Sequence, residues 1–424
     1  MFGLSNFNSV PRMAKLLAGV VVLLVLGLIP YPFQAQALVT DEQCMECHAG
    51  GIQGRERLRV DYNQTRVSAH KDLHCIDCHT EATDLPHVSI PGKVNCLDCH
   101  ESDTDARGEN IRGYRDSAHG RVRAQGLDKD AATCVDCHGK HGIRGVEDPQ
   151  SMVYRRNIPL TCARCHENNQ VVLKHDIHAE HPYLEYEQSV HGKALFKDGL
   201  IQFAAVCTDC HGVHGIQAAG DTLPMASRPA TCGNCHISIL ETYRNSIHGR
   251  LYLEEGNLDS PGCVDCHGEH GIMAPEAEES PISRTNIPKT CSTCHADAES
   301  MAKYDVSTDR LETYKTSFHG LAQSLGELNA ANCASCHGYH DILPSTDSRS
   351  KINPNNMIKT CGKCHPKATS NFVNGKIHIN PREKSSGSIY YLRTAFIWFT
   401  LAVLLILAVW TAIDFSRRLQ NRKS

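Results

Sequence analysis

The stretch CTDCHGVHG, residues 207–215, contains the unit that decides the fold: two cysteines, separated by two residues, are followed at once by a histidine. This Cys-x-x-Cys-His unit occurs eleven times in the 424 residues and uses all 22 cysteines. A disulfide framework does not explain the histidine, and zinc ribbons do not require it. The units are Cys44-Cys47-His48, Cys75-Cys78-His79, Cys96-Cys99-His100, Cys134-Cys137-His138, Cys162-Cys165-His166, Cys207-Cys210-His211, Cys232-Cys235-His236, Cys263-Cys266-His267, Cys291-Cys294-His295, Cys333-Cys336-His337 and Cys361-Cys364-His365.

The spacing within each unit is typical of covalent attachment of c-type haem. Two thiols add to the two vinyl groups of one haem as thioethers, and the adjacent histidine reaches the iron from one face. Thioredoxin-like sites also use Cys-x-x-Cys, but they occur once per domain beside a βαβ pattern. The sequence therefore predicts eleven covalently attached c-type haems, one for each unit.

The composition leaves little material for an apolar core. Aromatic residues make up 6% of the chain, and the hydrophobic 41% includes the cysteines. The segment from Leu38 to Ser388 provides about 32 residues per haem, and chains that short per unit rarely build a sufficient core by themselves. We therefore expect a mainly α fold with extensive loops, packed around haems in two-haem repeats, plus one C-terminal transmembrane helix.

A repeat of two haem units occupies most of the chain. Each repeat begins with Ser-x-His-Gly, continues as Cys-x-x-Cys-His-Gly-x-His-Gly and ends with a second haem unit. The four Ser-x-His-Gly segments, at residues 117–120, 189–192, 246–249 and 317–320, mark the first to fourth modules. The predicted organisation is a signal peptide (1–37), a three-haem segment (38–108), four two-haem modules (109–388), a transmembrane anchor (389–415) and a cytoplasmic tail (416–424).

The fourth module departs from the other three at two positions. Asp341 replaces the second glycine of Gly-x-His-Gly, and its second haem unit lacks the proline that the others have as Pro159, Pro229 and Pro288. This proline suits the first turn of the helix that presents the haem cysteines. The glycines would either let the backbone approach a haem edge or simply form turns.

Enough histidines remain to give every iron a second axial ligand. Of the 26 histidines, eleven lie in the haem units and 15 lie elsewhere. Histidine pairs give lower potentials than methionine–histidine pairs, and no methionine recurs with the modules. The sequence predicts mostly or wholly bis-histidine haems, with distal candidates His70, His74, His87, His119, His141, His191, His214, His248, His270, His319 and His340. His378 resembles a fifth Ser-x-His histidine, and its ligation would free one of the N-terminal candidates.

The histidine three residues after each first unit cannot serve the haem of its own unit. His141 follows His138 by three residues, and residues so spaced share one face of a helix. Two such side chains cannot reach opposite faces of one iron. His141, His214, His270 and His340 are therefore expected to ligate neighbouring haems and so to hold two haems in close contact.

Three histidines lie in an insertion and leave several interpretations open. His175, His178 and His181 follow one another at intervals of three residues. They could bind an extra metal, replace a haem ligand, or line a solvated helix face, and the solvated face is the default expectation.

The two ends of the chain predict its location. Arg12 and Lys15 precede the apolar run 16–29, and Ala35-Gln36-Ala37 follows, as in a secretory signal peptide.

Residues 395–413 form a 19-residue run without charge, long enough to span a membrane. Tyr390, Tyr391 and Arg393 precede this run, and Trp410, Phe415, Arg417, Arg418, Arg422 and Lys423 mark its other end. The positive-inside rule keeps the basic tail in the cytoplasm, so the haem domain is expected in the bacterial periplasm, held by a single pass through the cytoplasmic membrane.

The paired units with Cys-His-Gly-x-His-Gly resemble those of the multihaem cytochrome c families of anaerobic respiration, over roughly residues 44 to 378. The resemblance implies transfer of electrons from a polytopic b-type cytochrome, or another quinol-oxidising membrane subunit, to soluble periplasmic redox proteins. The chain differs from the quinol dehydrogenases with an N-terminal anchor, and it lacks the Cys-x-x-Cys-Lys unit of the pentahaem nitrite reductases. The formal net charge of −4, with the haem propionates added, favours a basic partner, and nothing indicates nucleic-acid binding.

Two functions remain at this stage. An electron carrier without catalytic residues agrees with the repeats and with a ligand for every haem. A reductase of nitrite, hydroxylamine or a sulfur oxyanion would need an open iron, against which the surplus of histidines argues.

Overall fold

The computed structural model describes residues 39–51, 56–87, 92–105, 108, 110–126, 130–175, 177, 181–217, 228–375 and 377–421. The predicted signal peptide (1–37), His178, Arg422 and Lys423 lie outside the described residues.

Short helices joined by long turns make up the described chain, about half of which is helical, and it contains no β-strand; Thr104 and Asn110 form one isolated antiparallel bridge. The expectation of a mainly α fold with extensive loops is confirmed. Outside the long C-terminal helix, the helices are short because glycine, proline or a haem unit interrupts the apolar runs.

Four kinds of helix recur once in each module, and a few others lie between them. The first haem units form Cys134–His138, Cys207–His211, Cys263–His267 and Cys333–His337. The second units lie wholly on Ile158–His166 and Ile287–His295, whereas Pro229–Gly233 and Met357–Gly362 carry only the first cysteine of theirs. The Ser-x-His-Gly segments begin Ala118–Ala124, Val190–Phe196, Ile247–Leu253 and Phe318–Ser324. Before them come the 3₁₀ helix Ile111–Asp116 and the α-helices Pro182–Gln188, Ile237–Arg244 and Arg310–Lys315. Asn169–Lys174, Ala298–Ala302, Ser370–Val373 and the 3₁₀ helices Pro354–Asn356 and Lys384–Ser386 complete the module region.

Proline takes the helix-starting role that the sequence predicts. Pro159, Pro229 and Pro288 each lie in the first turn of the helix that carries a second haem unit. In the fourth module, Pro354 begins a 3₁₀ helix that leads directly into Met357–Gly362. The pyrrolidine ring sets φ for a helical start where no N–H partner is needed.

The chain forms two units, and each is described by itself. Unit one comprises residues up to Asp98 together with Lys140–Ile143, and unit two comprises Cys99–Gly139 and Arg144 onward. Described helices of unit one are Asp41–His48, Tyr62–Arg66, Cys75–Cys78 and the 3₁₀ helix Glu56–Leu58, while Leu97–His100 begins in unit one and ends in unit two.

Apolar side chains form only a small core within the described residues. The main cluster consists of Tyr186, Leu195, Ala204 and Val206, all in the second module. Four residues cannot hold together a region of this size by apolar burial alone. The expectation that haems pack into the core stays a prediction.

Consecutive modules are joined by a repeated backbone hydrogen bond. The residue after the Ser-x-His-Gly serine donates its N–H to an isoleucine carbonyl of the following module. The donors and acceptors are Ala118 to Ile216 at 2.7 Å, Val190 to Ile272 at 2.8 Å and Ile247 to Ile342 at 2.8 Å. In unit one, Ala69 donates in the same way to Ile143 at 2.6 Å.

The C-terminal helix runs from Ser388 to Asn421, and its segment Ser388–Arg418 is long and apolar enough to cross a membrane. None of its apolar stretch is buried against the protein. The helix therefore fits a single-pass membrane anchor, as residues 389–415 predict.

Candidate haem-binding sites

The first haem unit of each module lies on a helix of five residues, which presents its cysteines and histidine together. In the third module these are Cys263, Cys266 and His267 on the helix Cys263–His267. Residues three and four apart lie on one helix face, so both thiols and the imidazole project to the same side. This arrangement suits two thioether bonds and one axial ligand to a single haem.

Second haem units pair with a histidine of their own module. In each case the Ser-x-His-Gly histidine faces the histidine of the second unit. The ring centres are 6.2 Å apart for His119–His166, 6.3 Å for His191–His236, 6.1 Å for His248–His295 and 6.1 Å for His319–His365, with ring planes tilted by 44–62°.

First haem units pair with a histidine of the next module. The ring centres are 6.2 Å apart for His138–His214, 5.9 Å for His211–His270 and 6.0 Å for His267–His340, with ring planes within 9–14° of parallel. For the first unit of the fourth module, His378 takes the corresponding place, 6.4 Å from His337. The histidine three residues after a haem unit thus meets a different unit, because the helix ends at the unit histidine and the glycine that follows turns the chain away.

Two further pairs lie within unit one. His87 stacks 6.2 Å from His48, and His141 lies 6.3 Å from His79. With the eight pairs of unit two, these make ten pairs in which a haem-unit histidine faces a second histidine. That these pairs ligate iron stays a prediction, and the geometry allows a test of fit.

The ring separations fit iron held from opposite faces. A metal–nitrogen bond of histidine is about 2.0–2.1 Å and the ring centre lies about 1.1 Å behind the nitrogen, so two opposed ligands put their ring centres about 6.3 Å apart. Two ligands of a tetrahedral ion would bring the ring centres to about 5 Å. The observed 5.9–6.4 Å matches the opposed arrangement that a haem iron requires.

Several rings have their other nitrogen already engaged, which leaves Nε2 for a metal. Nδ1 of His48 lies 2.9 Å from the Leu58 carbonyl, and Nδ1 of His378 lies 3.0 Å from the Thr313 hydroxyl. Nδ1 of His214 lies 3.1 Å from the Asp105 carboxylate. Such contacts fix the tautomer and the orientation of a ligating imidazole.

Burial keeps the candidate ligands in the form that binds metal. It lowers the pKa of His248 to about 4, and burial with the neighbouring His378 lowers the pKa of His337 to about 4. A histidine must be neutral to ligate. At neutral pH both rings therefore present a free nitrogen lone pair.

The Ser-x-His-Gly segment fixes the distal histidine through a serine cap and a close helix contact. In the third module, the Ser246 hydroxyl accepts the N–H of Gly249 at 3.0 Å and donates to the Tyr243 carbonyl at 2.7 Å. A side-chain cap of this kind contributes about 0.5–2 kcal/mol. Gly249 packs directly on the Tyr243 carbonyl, where any Cβ would overlap the oxygen.

Gly249→Ala is expected to destabilise the third module and displace His248. Because the added methyl group overlaps backbone rather than a movable side chain, the cost should be about 1–3 kcal/mol. Gly271→Ala is the matched control, since its Cβ would meet only the Glu185 Cβ at an ordinary 3.7 Å. Denaturant unfolding of the two variants tests this prediction, and equal stability would contradict it.

A repeated tyrosine latch holds the distal helix against the haem unit, and the sequence reasoning missed it. The hydroxyl donates to the carbonyl two residues before the first cysteine of the first unit. The bonds are Tyr114 to Ala132 at 2.8 Å, Tyr186 to Ala205 at 2.8 Å, Tyr243 to Pro261 at 2.8 Å and Tyr314 to Ala331 at 3.0 Å. A tyrosine three residues before the serine in all four modules was the available signal.

The glycine directly after each first unit serves a turn. Gly139, Gly212, Gly268 and Gly338 have φ between 79° and 96°, a backbone region that favours glycine. The second glycines lack this conformation, which explains why Asp341 is accepted there. Asp341 instead forms an ion pair with Lys351 at 2.8 Å.

Consecutive attachment sites touch one another through their cysteines. The thiol of Cys162 lies next to that of Cys207, as Cys232 does to Cys263 and Cys291 to Cys333. Each pair joins the second unit of one module to the first unit of the next. In unit one, Cys44 contacts Cys75 in the same way.

Within modules the two attachment sites are also adjacent. Burial, with the nearby second-unit thiol of Cys162, raises the pKa of Cys137 to about 11. Burial and the nearby Cys291 raise the pKa of Cys266 to about 11 in the same way. The sites of unit two thus follow one another from module to module.

The N-terminal candidate His74 faces an aspartate rather than a haem-unit histidine. His74 is exposed, and its Nδ1 lies 3.3 Å from Asp41. His70 follows Ser68, in the position that His119 has after Ser117, and Ser68 contacts the Ile143 carbonyl at 3.1 Å. Nδ1 of His100, in the third haem unit, lies 2.7 Å from Asp103. Since His378 pairs with His337, we expect His74 to be the N-terminal candidate that it frees.

His74→Ala is expected to leave every haem low-spin, because the exposed ring faces Asp41 rather than a haem unit. His87→Ala is the matched variant in the same unit and should create one high-spin haem beside His48. Electron paramagnetic resonance (EPR) of the two oxidised proteins provides the measurement. A high-spin signal in the His74 variant would show that it is a ligand after all.

The inserted histidines have local partners. His181 lies 3.1 Å from the Glu167 carboxylate, which also accepts the Tyr183 N–H at the start of the helix Pro182–Gln188. His175 lies 3.8 Å from Asp130. No group of three or more metal-binding side chains occurs in the described part of the chain. The contacts of His175 and His181 therefore do not support the hypothesis of an extra metal site at these histidines.

Comparison with known proteins agrees with this geometry. Residues 202–239 match the family model described as "Doubled CXXCH motif". No curated protein matches the chain. The matched segment covers both haem units of the second module and ends three residues after the second unit. Together with the cysteine-rich modules and the apolar C-terminal helix, the match supports a multihaem c-type cytochrome of a form that fits membrane anchorage.

Proposed function

We propose that this cytochrome carries eleven bis-histidine haems and transfers electrons between a quinol-oxidising membrane partner and soluble periplasmic acceptors. The observation that carries the proposal is the pairing of ten haem-unit histidines with second histidines at 5.9–6.4 Å. A haem with both axial positions taken supplies one-electron chemistry at its iron and offers no coordination site to a substrate.

The protein's own residues fix the relative positions of these sites. The serine caps, tyrosine latches and paired cysteines hold the attachment points in a continuous series through unit two. Each distal histidine of the Gly-x-His type ties one module to the next. Electron transfer needs closely spaced and rigid centres, and this arrangement supports that role better than it supports catalysis.

The anchor determines where a membrane partner would meet the chain. The helix begins at Ser388, ten residues after His378, so the fourth module lies nearest the bilayer. Binding pockets for small molecules form between elements, and one helix is too little to enclose a quinol. We therefore expect a polytopic subunit that contains b-type haem to deliver electrons at the Cys361–His365 end. They would leave from the Cys44–His48 end.

Two measurements on protein purified from membranes test this function. Intact mass should show eleven haem additions, and fewer would contradict the cofactor count. The reduced protein should exchange electrons with a soluble redox protein but show no rapid turnover of nitrite or hydroxylamine. Rapid turnover of either substrate would favour the reductase.

A further inference from the structure

The Ser-x-His-Gly helices carry a surface strip whose chemistry changes in the fourth module. The strip comprises the residues one, four and eight positions after the serine, which lie on one helix face. In the first three modules it reads Ala118, Arg121, Gln125; Val190, Lys193, Lys197; and Ile247, Arg250, Glu254. In the fourth it reads Phe318, Leu321, Leu325, here called the Phe318 strip.

The Phe318 strip is the open end of the module series. In the other modules, the first strip residue is half-buried and hydrogen-bonded to the next module. Phe318 has no such bond within the described residues, and its side chain is 85% exposed. Leu325 is 87% exposed and Leu321 is 53% exposed. Three large apolar side chains therefore face outward, and at the second and third strip positions the other modules have charged or polar residues instead.

The anchor keeps this strip close to the membrane. His378 is held 6.4 Å from His337 and 3.0 Å from the Thr313 hydroxyl. Only nine residues, 379–387, separate it from the helix that begins at Ser388. Fully extended, nine residues reach about 30 Å. Turns at Asn380–Glu383 and Lys384–Gly387 shorten that reach further.

The C-terminal part of the fourth module, which leads into the anchor, has the charge that an anionic surface attracts. Between residues 357 and 387 there are six lysine or arginine residues and one acidic residue, Glu383. Exposed apolar side chains accompanied by basic ones are the combination that binds anionic lipid headgroups and the adjoining acyl boundary.

We propose that the Phe318 strip inserts into the anionic phospholipid surface from which the C-terminal helix emerges, fixing the fourth module against the bilayer. The proposal rests on that helix spanning the membrane. A phospholipid surface explains why only the module fused to the anchor has an apolar strip.

Photo-crosslinking in the full-length holoprotein tests the occupant. A benzoyl-phenylalanine at Leu325 should yield a phospholipid adduct, seen by mass, in vesicles of phosphatidylethanolamine and phosphatidylglycerol and in native membranes. The same probe at Lys197, the equivalent position of the second module, should yield none. Absence of a lipid adduct at 325, or a polypeptide adduct there in native membranes, would overturn the proposal.

A triple variant separates the strip from the anchor. Phe318→Ile, Leu321→Arg and Leu325→Glu copy the strip of the third module, which the same fold accommodates. Native protein should show slower amide exchange over 318–326 in vesicles than in detergent, and the variant should lose that difference while still floating with the vesicles. Unchanged protection in the variant would contradict insertion, whereas failure of either protein to float would disprove the anchor instead.

Discussion

Replacing His270 with alanine is expected to create one high-spin haem and to loosen the junction between the second and third modules. His270 faces His211 at 5.9 Å, and it belongs to the third module whereas His211 belongs to the second. Removing it leaves an open axial position and deletes a connection across the junction. EPR measures the first effect. Faster amide exchange at Val190, whose N–H bonds to the Ile272 carbonyl, measures the second.

His248→Ala is the matched control for that variant. His248 faces His295 within the third module, at 6.1 Å. Its loss should also create one high-spin haem but leave exchange at Val190 unchanged. If both variants loosened the junction equally, the histidines would not differ in role, and the interlocking of modules would be wrong.

Replacing His365 with alanine is expected to abolish quinol-driven reduction of the other haems while dithionite still reduces them. His365 belongs to the haem unit nearest the anchor and pairs with His319 at 6.1 Å. Loss of its axial ligand should alter the potential of that haem and break delivery from the membrane partner. Absorbance of the reduced haems in native membranes, after addition of a quinol, measures the effect.

The opposite end of the chain provides the control for this experiment. His48→Ala removes the equivalent ligand from the first haem unit, farthest along the chain from the anchor. Quinol should still reduce the remaining haems in that variant at the normal rate. Normal quinol-driven reduction in the His365 variant would mean that electrons enter elsewhere.

The sequence predicted the repeats well because the relevant signals are local. Cys-x-x-Cys-His specifies attachment by spacing alone, and proline before the second units starts their helices as expected. Iron ligation by His141, His214, His270 and His340 stays a prediction, although all four lie beside histidines of other haem units. Their separation from their own unit comes from the glycine turn that ends each helix after the unit histidine, not from a shared helix face.

The choice among the distal histidines depends on their positions in the folded chain, which the sequence alone does not give. Twelve distal candidates were available for eleven irons, and composition does not distinguish His74 from His378. The structure places His74 at the surface beside Asp41, whereas His378 lies against His337. The tyrosine latch was missed for a related reason, since its hydroxyl acts on a carbonyl 17–19 residues away.

The measurement that tests the central claim most directly is EPR of the oxidised, full-length protein, with the low-spin and high-spin signals quantified against total haem. If every haem has two histidine ligands, the low-spin signal should account for all eleven haems and high-spin iron should be negligible. A high-spin signal equal to one haem per chain would reveal an open iron and would contradict the assignment of this protein as an electron carrier.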